Sequence, residues 1–264
     1  MRTLTSFVAA ALLAILPLAC AAQSPGIAVV IMHGKGGSPS RLVSGLAAAL
    51  AQKGFLVENL EMPWSGRREY DVPVDAADKE IEAAFEGMRA KGASKFFVVG
   101  HSQGGIFALH YAATHPVNGV VAIAPGGSVA SPVFRKEVGA AVERARKLVE
   151  EGRGGEKTRF VDYEGSRGTL AVFAPAASYL SWFDAEGAMN QVKSSKAMSP
   201  QVPVLYVAPT NDYPALSRSK EAMFAALPSN PLSRMVEPVS SHLEAPAAAR
   251  DPIAGWISEV AARP

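Results

Sequence analysis

Lys95-Phe96-Phe97-Val98-Val99-Gly100-His101-Ser102-Gln103-Gly104 is the stretch on which the reading of this chain turns. Its first half is an apolar, β-branched and aromatic run of strand type. Its second half is Gly-x-Ser-x-Gly, which after a buried strand and before a helix reads as a nucleophile elbow. Such a turn is so sharp that the serine backbone is strained and its hydroxyl stands clear of the sheet. Positions 100 and 104 then lie too close to a neighbouring strand and helix for a Cβ, which glycine alone lacks. Ile106, Phe107, Leu109 and Tyr111 follow as an apolar helical run ending near His115-Pro116.

The same strand-then-helix rhythm extends outward in both directions. Residues 26–33 form a continuous apolar run, expected to be a strand buried on both faces. A helix is expected over 39–53, with Leu42, Leu46 and Leu50 on one face and Gly54 as its stop. A strand follows at 55–62 and an amphipathic helix at 75–91. Beyond the elbow, strands are expected at 117–124, 202–208 and 235–239, and helices at 214–227 and 245–261. Alternation of this kind, with nearly all-apolar strands, implies an α/β chain: a mostly parallel sheet with helices on both faces.

Residues 128–198 break the rhythm, being too long for a simple crossover. They hold a charged amphipathic helix at 135–151, a joint at Gly152-Arg153-Gly154-Gly155 and the aromatic stretch Tyr179-Leu180-Ser181-Trp182-Phe183. They read either as a small cap or lid insertion, or as one crossover helix plus a further strand at 169–173.

Composition narrows the function classes. The chain has 264 residues, 48% of them hydrophobic, and a formal net charge of +2. That suits one large core, and without a long basic block nucleic acid is not an expected partner. Residues 1 to about 22 combine Arg2, an apolar run from Phe7 to Leu18 and Ala19-Cys20-Ala21, the pattern of a secretory signal. The apolar run is short for a membrane span, so no transmembrane segment is expected in the mature chain, 23–264. Periplasmic or secreted location follows. Cys20 is the sole cysteine. Cleavage after Ala21 removes it; alternatively Leu18-Ala19-Cys20 ends like a lipidation box, with Pro17 where Leu is usual, and Cys20 carries a lipid anchor.

The chain resembles the α/β-hydrolases, on four motifs: His33-Gly34-Lys35-Gly36-Gly37, the elbow at 100–104, Asn211-Asp212 after a late strand and Ser241-His242 after the last one. The nucleophile–acid–histidine order is that of this fold. The resemblance implies an α/β-hydrolase fold with Ser102 as nucleophile, activated by a histidine whose pKa lies near working pH. Of the five histidines, His101 adjoins Ser102 and points away from it, His110 and His115 lie on the following helix, and His33 is a loop-fixing residue. His242, after the final strand, is where the resemblance places the base, and Asp212 is where it places the acid that orients it. Asp212 also reads as an Asx-turn residue before Pro214, and Asp184 is a second candidate acid.

Attack on a carbonyl builds an oxyanion, and each preorganised donor is worth about 3 to 4 kcal/mol. The Gln103 amide, after the nucleophile, is one donor. By resemblance the Lys35 amide is the other, with Gly36 as its alternative. Met62, Trp64, Tyr70, Tyr179, Trp182, Phe183 and Tyr213 are candidate pocket walls, each of which also reads as core. The 33–37 loop is not a dinucleotide loop, since Pro39 stands where a third glycine is needed, and no residues have metal-ligand spacing. The expectation is a serine hydrolase for small carboxylic esters, without metal or cofactor. The alternatives are a thioesterase, lipase or peptidase with the same triad, or a non-catalytic binding member of the fold.

Overall fold

Runs of Val, Ile and Ala that are apolar on both faces have to be covered on both sides, and the central strands of this chain are. The structure, a computed structural model, describes residues 26–263. The signal sequence expected at residues 1 to about 22, with Cys20, lies outside the described residues. Among those described, six strands form one parallel sheet in the order β2 (Leu56–Leu60), β1 (Gly26–Met32), β3 (Ala93–His101), β4 (Gly119–Ile123), β7 (Val204–Val207) and β8 (Arg234–Val236). The central registers pair Met32 with Gly100 and His101 with Ile123, so the carboxyl ends of β1, β3 and β4 finish side by side.

Helices α1 (Ser44–Gln52), α8 (Ala245–Ala248) and α9 (Arg250–Ala261) cover one face, burying Leu46, Leu50, Ile253 and Trp256 against Val29, Val99 and Val121. Helices α2 (Val74–Arg89) and α3 (Gln103–Thr114) cover the other, with Ile81, Phe85, Ile106 and Phe107 against Val30 and Val98. Two helices end differently from the sequence expectation. α1 starts at Ser44 because 38–43 are successive tight turns, with Arg41 N–H bonded to Ser38 O and Ser44 N–H to Arg41 O. The helix expected over 245–261 breaks at Ala249, since an unbroken helix would put the Pro252 ring against the carbonyl four residues back.

The 128–198 segment forms α4 (Pro132–Glu150), an antiparallel hairpin of β5 (Lys157–Glu164) and β6 (Gly168–Pro175), then α5 (Ala176–Phe183) and α6 (Gln191–Ala197). The strand expected at 169–173 exists, but it pairs with β5 and does not extend the sheet. Phe160, Val172, Tyr179, Trp182 and Phe183 share one core with Ile81, Val98 and Phe107. The segment is thus a small insertion seated firmly on the sheet's α2–α3 side. The remaining helix, α7 (Pro214–Ala225), lies between β7 and β8 and has no buried residue.

Candidate active site

At the carboxyl end of β3 the chain reverses through Ser102 and enters α3 at Gln103. Ser102 has φ 54° and ψ −116°, a conformation that costs a non-glycine residue energy and persists where surroundings enforce it. Its N–H donates to Ile123 O at 2.8 Å, and its carbonyl accepts from Gly105, Ile106 and Gly126. The glycine argument is quantitative here. A Cβ on Gly100 would lie 1.9 Å from Gly104 O, and one on Gly104 would lie 2.5 Å from Met32 O and 2.7 Å from His33 O. Ser102 is the N-cap of α3, yet its side chain makes no capping hydrogen bond. The hydroxyl is therefore not spent on the helix it precedes.

Two loops bring His242 and Asp212 together. After β7, Thr210 N–H bonds Pro238 O and Asn211 N–H bonds Ser240 O, and Asn211 and Ser241 form an isolated parallel bridge. The loops after β7 and β8 are thereby stitched as an extension of the sheet. His242 Nδ1 lies 2.7 Å from Asp212 Oδ1, with both side chains 6% exposed. A carboxylate only accepts, so Nδ1 carries a proton and Nε2 is the nitrogen left to exchange one. Asp212 Oδ1 also accepts from Tyr213 N–H, so one oxygen serves both the turn and the contact with His242. Ser241 N–H and Oγ–H both donate to Glu244, which holds that carboxyl below the ordinary value and fixes the loop. Asp184, the other candidate acid, sits in the insertion, paired with Arg146 at 3.1 Å and accepting from Glu186 N–H.

His101 has a role that sequence reasoning missed. Its Nε2–H donates 2.9 Å to the carbonyl of His242, tying the elbow to the loop that carries His242. Burial, then the neighbouring His242, pulls its pKa down to about 4, so the ring is neutral. Nδ1 is buried without a partner. The only sequence signal was a histidine beside the serine. His33 is buried and locks its own loop: Nδ1–H donates to Gly34 O, Nε2 accepts from Met62 N–H, and burial lowers its pKa.

The 33–37 loop turns back on itself through Gly37 N–H to Gly34 O, with Gly36 at φ 63°. Gly36 N–H donates to Trp64 O at 2.9 Å. That bond takes Gly36 out of consideration as an anion donor. Gly34 approaches the serine so closely that a Cβ there would lie 3.2 Å from Ser102 Cβ, so the Lys35 loop borders Ser102. Gln103 N–H lies in the first turn of α3, where N–H groups have no partner within the helix and the dipole favours negative charge.

Most of the expected pocket aromatics have another place. Trp64, Tyr179 and Trp182 are at most 2% exposed and have no surface to offer a ligand. Their polar tips are spent on backbone carbonyls, of His33, Val161 and Val72 in turn. Trp64 stands edge-on to Trp182 and Phe107, and Tyr179 stacks on Phe160 and Phe183. These three are core. Met62, Tyr70 and Phe183 are buried with them. Tyr213 differs, being 36% exposed with its ring 4.4 Å from that of His242.

A family model described as the alpha/beta hydrolase fold matches residues 27–155. The chain has the α/β-hydrolase fold. Solved structures agree along nearly the whole length. A monoacylglycerol lipase from Paleococcus ferrophilus is 23% identical at a TM-score of 0.62, covering 89% of this chain and 97% of that one. A thermostable carboxyl esterase from Bacillus coagulans is 14% identical at 0.59, with 90% of both chains covered. A monoglyceride lipase of Saccharomyces cerevisiae is 14% identical at 0.59, covering 89% and 88%. No protein of curated function matches the sequence. The resemblance to α/β-hydrolases read from the sequence holds, and within the fold Ser102, Asp212 and His242 follow β3, β7 and β8 at the sheet's carboxyl edge, where open α/β sheets bind ligands. Among the described residues no helix is long and apolar enough to cross a membrane, and no cluster of His, Cys, Asp and Glu has the make-up of a metal site.

Proposed function

We propose that the chain is an exported serine hydrolase that cleaves small carboxylic esters through an acyl-enzyme. The observation that carries this reading is the pairing of two constructions at one sheet edge. One is a strained serine whose hydroxyl is not spent on its own helix; the other is a desolvated His242–Asp212 pair whose Nδ1–H faces the carboxylate, leaving Nε2 to take a proton. Relatives of the fold that are lipases and carboxyl esterases support the substrate class. Export rests on the sequence of residues 1 to about 22.

In this mechanism Ser102 Oγ attacks the ester carbonyl carbon as His242 Nε2 takes its proton. The imidazolium so formed is stabilised by Asp212, which accepts from Nδ1–H and remains ionised. The carbonyl oxygen becomes an oxyanion, held by the backbone N–H groups of Lys35 and Gln103. When the tetrahedral adduct collapses, the C–O bond to the alcohol breaks and His242 returns the proton to the departing oxygen. Water then attacks the acyl-Ser102 ester with His242 again as base, and the carboxylic acid leaves as Oγ regains its proton.

The test is turnover of p-nitrophenyl esters of increasing acyl length by the purified mature chain, beside Ser102→Ala. The expected result is hydrolysis by the former and background rates for the latter. Equal turnover by both, or none by folded wild type across the series, refutes the proposal.

A further inference from the structure

The insertion reaches into the candidate oxyanion site through a single buried carboxylate. Asp162, on β5, has a side chain 3% exposed. Its Oδ1 lies 2.5 Å from Lys35 Nζ, which also donates to Tyr163 O at 3.0 Å. Its Oδ2 lies 3.3 Å from Tyr70 Oη, and Tyr70 Oη lies 3.1 Å from Gln103 Nε2. A phenol has one proton to donate, and burial followed by the nearby Asp162 charge keeps it on Tyr70. The self-consistent pattern is a relay: the Gln103 side-chain Nε2–H donates to Tyr70, Tyr70 donates to Asp162, and Lys35 Nζ donates to Asp162 from the other side. Lys35 and Gln103, 68 positions apart by their numbers, are the two residues whose backbone N–H groups are assigned to the oxyanion.

Tyr70 is built for this place at a conformational cost. Glu69 and Tyr70 have φ of 47° and 59°, consecutive non-glycine residues in the left-handed region. Such backbone persists only where its surroundings over-determine it. Tyr70 N–H bonds Pro63 O at 2.6 Å, and Ser178 Oγ of the insertion donates to Tyr70 O at 2.5 Å. The insertion thus grips Tyr70 at its carbonyl and at its hydroxyl. The loop tethered through Lys35 has glycine at 34, 36 and 37, so its backbone is held by hydrogen bonds and by the Lys35 tether and not by side-chain bulk at those positions.

We propose that Asp162 is a positioning residue for oxyanion stabilisation, clamping through Lys35 and Tyr70 the two peptide groups that receive the developing negative charge. The proposal rests on the serine-hydrolase reading. Donors aimed at a developing charge help only if held in place before it forms. A displacement near 1 Å costs on the order of 10²-fold in rate. Neutral Asp162→Asn keeps the shape but abolishes the charge, leaving Lys35 Nζ with the Tyr163 carbonyl and no counter-ion.

The experiment measures kcat and KM for p-nitrophenyl butyrate, and inhibition by an aryl trifluoromethyl ketone beside its methyl ketone counterpart, with thermal unfolding as the check on folding. The fluorinated ketone adds to Ser102 as an oxyanion mimic; the methyl ketone does so weakly. For folded Asp162→Asn, kcat falls about 10- to 100-fold with KM nearly unchanged. Affinity for the trifluoromethyl ketone falls by the same factor as kcat/KM, and methyl ketone affinity stays. Unchanged kcat, or a loss confined to KM with the trifluoromethyl ketone still tight, overturns the clamp. If Asp162→Asn does not fold, Tyr70→Phe removes one hydroxyl and leaves the ion pair. It is expected to lose about 3- to 10-fold in kcat with the same inhibitor pattern, and wild-type behaviour there overturns the clamp equally. A wild type as inactive as Ser102→Ala overturns the serine-hydrolase reading itself, and the clamp with it, an outcome distinct from any difference among variants.

Discussion

Gly104→Ala tests the elbow by adding a single carbon. The new Cβ would sit 2.5 Å from Met32 O and 2.7 Å from His33 O, where ordinary contact begins at 3.4 Å. Both obstacles are backbone atoms, so no rotamer change relieves them. The start of α3 must move about 0.9 Å from the end of β1, which is the difference between contact and overlap. That motion separates the Gln103 amide from the loop carrying the Lys35 amide. The expected stability loss is about 3 kcal/mol, the upper end for overpacking. For a chain of this size each kcal/mol lowers Tm by about 2–4 °C. A displacement near 1 Å also lowers kcat/KM about 10²-fold. Gly87→Ala is the control, since a Cβ there, on α2, meets nothing within 4 Å. It should gain up to about 1 kcal/mol from helix propensity and leave turnover alone. Thermal unfolding and p-nitrophenyl ester turnover on the two variants decide the matter. A Gly104→Ala protein with wild-type Tm and rate would show that the elbow is not held by this close approach.

Asp212→Asn should lower kcat about 10⁴-fold by allowing the wrong His242 tautomer, whereas Asp184→Asn, which loses a pairing with Arg146 in the insertion, should stay near wild type; steady-state kinetics on both checks the assignment. Stability should fall in acid for a stated reason. His101 is pulled from the ordinary 6.5 to about 4, chiefly by burial, so between those values the unfolded chain binds a proton that the folded chain refuses. The stabilisation is complete above pH 6.5 and lost as pH falls toward 4, about 3 kcal/mol in all. His33 acts in the same direction. Urea midpoints from pH 4 to 7 should show this slope, and His101→Gln should flatten it; an unchanged slope in the variant contradicts the assignment.

Local pattern carried most of the fold. The strands were legible because a sheet covered on both faces demands continuous apolar runs, as at Val29, Val30 and Ile31. The elbow was legible because its geometry excludes a Cβ at two fixed positions. What was not legible depended on distant partners. Nothing near Lys35 announces Asp162, 127 positions away, since a buried charge is recognisable only once its counter-ion is in place. Trp64, Tyr179 and Trp182 were read as pocket walls because an aromatic with a polar tip suits a ligand site and a satisfied core equally well. Backbone carbonyls supplied by other elements made them core. The strand at 169–173 has ordinary strand composition, and its partner was decided by the turn between Glu164 and Gly168, which folds it onto β5.

The central claim is that Ser102 is a nucleophile activated by His242. Labelling the folded chain with a fluorophosphonate and mapping the adduct by peptide mass spectrometry addresses it directly. The account predicts one adduct, on the peptide containing Ser102, absent in Ser102→Ala and formed about 10⁴- to 10⁶-fold more slowly in His242→Ala. An adduct on another serine, equal labelling of Ser102→Ala, or an unlabelled folded wild type would contradict it.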